Sequence, residues 1–293
     1  MRTKVVICTA VCTLSWGLSF AVMKVLLDYI EPMQVLSLRW LLAAIIFSIM
    51  TALGKIRIDI HSPYLKYALL AGLMEPCIYA VLEIYGIQMM SASLTSIFIA
   101  TIPSVALIFG AFLFHRKVRK LNAIGIVIAF AGVFIATVFA PGFSVSSSML
   151  GILIMTAAVV SAVFYTFASA KASEEIDAKA ITFIMTAMAA VCFNIISLLQ
   201  GNGVSTYTVC FSSWQVACGI LFLGICCSIF GYVAMNRLLA LIDTATANSL
   251  TGNLTTVIGV IGGIIIAGDQ WGAYTIIGML LTIAGVWLSS RTI

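Results

Sequence analysis

The chain has 293 residues, of which 62% are hydrophobic and only 9% charged, with a formal net charge of +5 and a mean hydropathy of +1.18. A soluble domain is about one-quarter charged, so a water-solvated globule is excluded and the bilayer is the solvent for most of this chain. The basic excess is spread over short segments rather than gathered into a patch, which removes the nucleic-acid reading.

Apolar runs of about 20 residues, each able to cross the hydrocarbon core as a helix, recur along the whole sequence. The inside-outside alternation of a membrane barrel is absent, which leaves helices as the way to satisfy the backbone in lipid. The first predicted span, 5–27, follows Arg2 and Lys4 and carries Trp16 and Lys24. It lacks a small-residue cleavage site and leads straight into another span, so it reads as a retained helix rather than a signal peptide. The second, 33–53, starts after Pro32 and carries Arg39. The third, 65–87, holds Glu75, Pro76, Tyr79 and Glu83 within the stretch GLMEPCIYAVLEIYG; the fourth, 93–113, contains Pro103; the fifth is 121–139. The remaining five are 150–170, 180–199, 214–236 with Tyr232 and Asn236, 245–267 with Asn248 and Asn253, and 272–289. The expected fold is an all-α integral membrane protein of ten transmembrane helices, with short linkers and no separate soluble domain.

With the N-terminus inside, the cytoplasmic segments and adjoining span ends hold 13 of the 15 Lys and Arg residues, the exceptions being Lys24 and Arg39 within spans. By the positive-inside rule both termini are expected in the cytoplasm of a cell (inner) membrane protein. The eight cysteines lie almost all within spans and read as small apolar filler; Cys210 is the one placed in an outer loop. The two histidines, His61 and His115, fall in loops. No metal site, cofactor or nucleotide motif of the G-x-x-x-x-G-K-[ST] kind is visible, and no nucleophile–base pair argues for an enzyme.

Comparison of the halves shows an internal repeat. Residues 92–133 align without a gap with 245–286 at an offset of 153, matching Gly110, Gly125 and Gly132 to Gly263, Gly278 and Gly285. Earlier, at an offset of 146, Ile30-Glu31 meets Ile176-Asp177 and Phe47 meets Phe193. The expectation is two five-helix units, 1–140 and 150–293. An odd number of spans inserts the second unit upside down, and inverted repeats are a transporter architecture with the site near the midplane. In this light Trp16, Gly17, Phe20 and Lys24 (W-G-x-x-F-x-x-x-K), Pro32, Arg39, the Ser91-Ala92-Ser93 run, Pro103 and the Ala131-Gly132-Val133 ending resemble the EamA-type drug/metabolite transporters over essentially the whole chain. One departure is visible: the acid that this family usually carries nine residues before the glycine of helices five and ten is Asp269 in the second half but Arg116 in the first. The resemblance implies a ten-helix inner-membrane carrier moving small metabolites, often amino acids, usually outward.

Charges inside a membrane are costly and usually face a cavity or one another. Glu75, Tyr79 and Glu83 share a helix face that drifts by about 40° per four residues, and at the offset of 153 they correspond to Ser228, Tyr232 and Asn236. A polar–Tyr–polar stripe in both units fits two related helices facing one cavity, or a hydrogen-bonded helix seam. At 1.5 Å per residue, Glu83 lies about 6 Å and Arg39 about 9 Å below the outer surface. They are candidates for a mutual ion pair or, failing that, for substrate contact, while Lys24 is expected to pair with Asp28 or Glu31. Glu75 lies near the midplane with no basic residue at its own depth, so it is expected to line a central cavity with Tyr79, Tyr232, Asn236 and Asn253 and to hold a proton or a substrate amine. Pro76 and Pro103 are expected hinges. Trp16 can stack on an organic substrate or form cavity wall. The function expected is a secondary transporter exporting amino acids or related amines by alternating access, possible proton coupling resting on Glu75, acting as a monomer or weak dimer. A channel, a scaffold and a membrane enzyme are the alternatives.

Overall fold

The structure is a computed structural model that describes residues 2–114, 119–143, 145–211 and 213–290. His115, Arg116 and Arg291 lie outside the described residues. The described chain is a bundle of α-helices. Among the described residues, nine rods are long and apolar enough to cross a membrane: 2–26, 32–52, 65–89, 92–112, 120–138, 148–172, 178–199, 214–241 and 244–265; a further apolar helix, Ala273–Ser289, is shorter. Several rods are composite. The third is α3 (Leu65–Gly72), a π-helical turn (Leu73–Ile78) and α4 (Tyr79–Met89). The fourth is α5 (Ala92–Ile99) followed by α6 (Ile102–Phe114). The eighth is α11 (Trp214–Leu221), a longer π-helical stretch (Phe222–Gly231) and α12 (Tyr232–Leu241). The unbroken helices are α1 (Arg2–Leu26), α2 (Pro32–Ala52), α7 (Lys120–Val138), α8 (Val145–Ala172), α9 (Ala178–Leu199), α13 (Thr244–Ile265) and α14 (Ala273–Ser289). A short α10 (Ser205–Thr208) sits in the connection after α9, which the apolar periodicity does not signal. It runs into a turn holding Cys210, which is free, as are all eight cysteines.

Helix ends carry the signals expected of them. Pro32 opens α2 after Glu31, whose backbone N–H donates to Gln34 at 3.1 Å. Ser91, Asp177, Ser213 and Asp243 accept first-turn N–H groups of α5, α9, α11 and α13, the usual way to satisfy orphan donors. Outward faces carry Leu14, Ile49, Val127, Phe134, Leu153, Val191 and Trp287, all more than half exposed. Apolar area on that scale is tolerable only against lipid.

Where helices meet they do so on small residues. α7 and α14 pack antiparallel: a Cβ on Gly125 would meet the Gly285 carbonyl at 2.7 Å, and one on Gly132 would meet the Gly278 carbonyl at 2.6 Å. Shifting by 153 exchanges these with their partners, since a Cβ on Gly285 would meet the Gly125 carbonyl at 2.6 Å and one on Gly278 the Gly132 carbonyl at 2.8 Å. α2 and α9 behave alike. Ser37 Oγ donates to the Phe193 carbonyl at 2.8 Å, and ten residues on Phe47 stacks on Phe183 with centroids 6.0 Å apart. Helix starts agree, with Pro32, Tyr79 and Lys120 matching Ala178, Tyr232 and Ala273 at the sequence offsets.

One local expectation needs correction. Lys24 does not pair with Asp28 or Glu31; its ammonium donates to the Ile87 and Met90 carbonyls at 3.1 and 3.2 Å, ending α4 from the side. The free carbonyls at a helix C-terminus attract a cation, and they are nearer than the loop acids. Asp269 acts on a neighbouring rod, accepting from both the backbone and the hydroxyl of Ser93 at 2.7 Å. The equivalent helix start, α13, has its own acid in Asp243, so nothing there requires a counterpart to Asp269.

Candidate functional site

The third rod bends where the sequence places Pro76. A proline gives no N–H to the helix ladder, and Glu75 adopts extended backbone (φ −144°, ψ 117°) inside the rod. The Met74 carbonyl next to the break accepts the Ser161 hydroxyl from α8 at 2.6 Å, so this carbonyl is spent on helix packing rather than offered to a ligand. The fourth rod breaks at Ala100–Thr101 ahead of Pro103, whereas Thr256, the equivalent of Pro103, sits in the unbroken α13.

Between the rods lies a narrow cavity in which the centres of water-sized occupants have about 60 Å³ to move. α1 contributes Trp16, Ser19 and Phe20, α2 Arg39, the break Glu75, and α4 Tyr79 and Glu83. Ile99 and Ile102 flank the second break. From the other half come Ala162, Tyr165 and Thr166 of α8, Tyr232 and Met235 of α12, and Asn248, Thr251, Gly252 and Thr255 of α13. Many liners occupy equivalent positions of the halves: Trp16 and Ala162, Ser19 and Tyr165, Phe20 and Thr166, Tyr79 and Tyr232, Ile99 and Gly252, Ile102 and Thr255. The cavity therefore sits where the halves face each other.

Its polar groups are held in place. Tyr79 donates to Glu83 Oε1 at 2.7 Å, one turn away on the same helix. Tyr232 reaches across from the other half and donates to Glu75 Oε1 at 2.8 Å. Arg39 is buried; its Nε donates to Ser228 Oγ at 3.1 Å, one Nη lies 3.4 Å from Met23 Sδ, and the guanidinium stands over the Trp40 ring at 5.2 Å. Tyr232 packs against Trp16, Trp40 and Tyr165 with centroids 5.0, 5.3 and 6.1 Å away, so the phenol facing Glu75 is clamped by three rings. Two carboxylates and one guanidinium line the cavity. With both acids ionised it carries one net negative charge, which a proton or a substrate cation can neutralise.

Six of the eight residues singled out from the sequence line this cavity: Trp16, Arg39, Glu75, Tyr79, Glu83 and Tyr232. The direct Arg39–Glu83 pair is not formed, because no ion pair within 4.0 Å joins them; Arg39 turns to Ser228 and Tyr79 occupies Glu83. Arg39 lines the same cavity as Glu75. Asn236 is elsewhere. Fully buried, it accepts from Tyr165 at 2.8 Å and Ser169 at 2.7 Å and donates to Thr182 at 2.9 Å. The drift of the stripe by about 40° per four residues turns it towards α8 and α9. Asn253 does not line the cavity; about 100° of rotation per residue sets it well off the face carrying Asn248, Thr251 and Thr255. A signal for that face was present, as an Asn-x-x-Thr-x-x-x-Thr spacing along the polar first half of α13. Tyr165 and Thr166 carried the weaker mark of aligning with Ser19 and Phe20.

A multi-pass helical bundle with a buried polar cavity between its halves is the build of a membrane transporter. The model of the EamA-like transporter family matches residues 3–138 and 149–291, and the chain belongs to that family. It is similar to "Uncharacterized transporter YcxC" of Bacillus subtilis (strain 168), 25% identical over 273 residues covering 92% of this chain and 87% of the relative. It is also similar to an "Uncharacterized transporter" of Archaeoglobus fulgidus, 26% identical over 277 residues covering 94% and 95%. A solved crystal structure shares the fold with a TM-score of 0.67 at 16% identity, covering 99% of this chain and 97% of that one.

Proposed function

We propose that this chain is a secondary transporter that exports amino acids or related amines by alternating access, with Glu75 as the coupling group. The observation that carries the reading is the placing of Glu75, Glu83 and Arg39 in one cavity between equivalent helices. A zwitterion presents a carboxylate and an ammonium together: Arg39 complements the first, and the two glutamates the second. With no zwitterion bound, a proton on Glu75 would balance the cavity, which makes proton and substrate alternative occupants. The aromatic wall of Trp16, Tyr79, Tyr165 and Tyr232 shields the site from lipid and water, so charge complementarity weighs more there than in water.

Movement is assigned to two inverted five-helix units, 1–140 and 150–293. Three observations support the assignment: the self-exchanging contacts of α7 with α14 and of α2 with α9, the π-helical breaks at equivalent places in the third and eighth rods, and one family model matching each half. The breaks beside Pro76 and before Pro103 are the hinges of this scheme, and the termini lie on the cytoplasmic side of the cell membrane, as the basic residues imply. The test is counterflow: purified protein in liposomes preloaded with an unlabelled amino acid or amine should transiently accumulate the labelled one. Flux that fails to saturate points to a channel, and absence of counterflow for every amino acid and amine overturns the substrate class.

A further inference from the structure

At the equivalent positions of the cavity the halves differ in bulk. The first half presents Trp16, Ile99 and Ile102; the second presents Ala162, Gly252 and Thr255. The charged groups all come from the first half, so a ligand gripped by its charges has the small second-half wall opposite it.

Two features of that wall are not required by folding. A Cβ built on Gly252 meets its nearest neighbours, Pro103 Cγ and the Ala100 carbonyl, at 3.8 and 3.9 Å, ordinary van der Waals contact. By contrast, Gly17, Gly259 and Gly263 each meet a short, rigid neighbour, Ile258 Cβ, Ser96 Cβ and the Ser93 backbone nitrogen, at under 3.0 Å, so packing disfavours a side chain there. Gly252 lines the cavity without being needed for close approach. Thr255, one turn on, is buried, and its hydroxyl has no hydrogen-bond partner. Its neighbours on α13 spend theirs on the preceding turn, Thr251 on Ala247 at 2.8 Å and Thr256 on Gly252 at 2.8 Å. A buried hydroxyl without a partner is costly and awaits one.

From this we infer that Gly252 and Thr255 form the side-chain subsite of the transported amino acid, Gly252 limiting its length and Thr255 hydrogen-bonding a polar atom on it. The inference rests on the amino-acid reading above and narrows it to substrates with a short side chain bearing a hydroxyl or similar group.

The test is counterflow with glycine, serine, 2-aminobutyrate and leucine, serine and 2-aminobutyrate differing only by hydroxyl against methyl. Wild type should favour serine over 2-aminobutyrate and exclude leucine. Thr255→Val keeps the shape and breaks no bond in the protein; it should erase the preference for serine. Gly252→Val should raise the KM for serine over that for glycine by about tenfold or more, the scale on which pocket volume discriminates. Gly262→Ala is the control on the same helix, because its Cβ would sit 3.5 Å from Ala21 and Leu18, outside the cavity. Variants that exchange the panel in the wild-type order overturn the subsite, as does uniform loss for glycine, serine and 2-aminobutyrate in a variant that still purifies monodisperse. Wild type that exchanges none of them defeats the amino-acid reading, and this inference with it.

Discussion

Gly132→Ala and Gly285→Ala probe the contact that joins α7 to α14. A Cβ on Gly132 would lie 2.5 Å from the Thr282 backbone nitrogen and 2.6 Å from the Gly278 carbonyl; one on Gly285 would lie 2.6 Å from the Gly125 carbonyl and 2.7 Å from Ala129 Cα. Non-bonded heavy atoms rest at about 3.5–4.0 Å, and the atoms met are backbone, so the helices must separate by about 1 Å. Overpacking of this size costs about 1–3 kcal/mol. Because the two positions are exchanged by the offset of 153, the two variants should lose similar stability, and the double variant should be sub-additive because either one alone already separates the helices. Thermal unfolding of the purified protein in detergent, followed by thiol-reactive dye on the native cysteines, reads the loss. Melting at wild-type temperature for both variants would refute close helix contact, and a large loss in one alone would refute the exchanged geometry.

Asn236→Ala removes the partner of Tyr165, Ser169 and Thr182 at once and should cost about 1–3 kcal/mol while leaving substrate KM unchanged in the protein that folds; a raised KM at unchanged stability would return Asn236 to the binding site. For topology, single cysteines replacing His61 and Val204 in a cysteine-free background should label with impermeant reagent from opposite faces, the first only after the cells are opened. Labelling of both in intact cells would overturn the proposed orientation.

The rods were legible because a bilayer demands long apolar runs, and the small residues of α7 and α14 were legible as a gapless register. What the sequence did not carry was where side-chain heads turn. Arg39 and Glu83 lie at similar depth on their helices, yet the guanidinium reaches a hydroxyl on the eighth rod while Tyr79, fixed one turn away, takes the glutamate. Depth along an axis says nothing of rotation about it. The same gap misplaced Asn236 and Asn253, whose amides lie on faces turned away from the cavity. Glu75 was legible because a carboxylate beside a proline at mid-depth has few uses in packing. Thr255 was not, since a threonine in a membrane helix is ordinarily silent and only its place at the cavity together with its missing partner distinguishes it. Lys24 was misassigned because sequence proximity favoured the loop acids, whereas the open end of α4 is nearer in space.

The central claim is that the cavity acids bind the transported species, and Glu75→Gln tests it most directly. The amide keeps the shape and can still accept from Tyr232 through its carbonyl oxygen, but it cannot carry charge or a transferable proton. Counterflow of the wild-type protein and the variant in liposomes, measured across a range of pH, should show pH-dependent exchange in the first and, in a variant that melts like wild type, no pH-dependent exchange. Wild-type rates with unchanged pH dependence in the glutamine variant would contradict the account and leave Glu75 as a hydrogen-bonded residue in a helix seam.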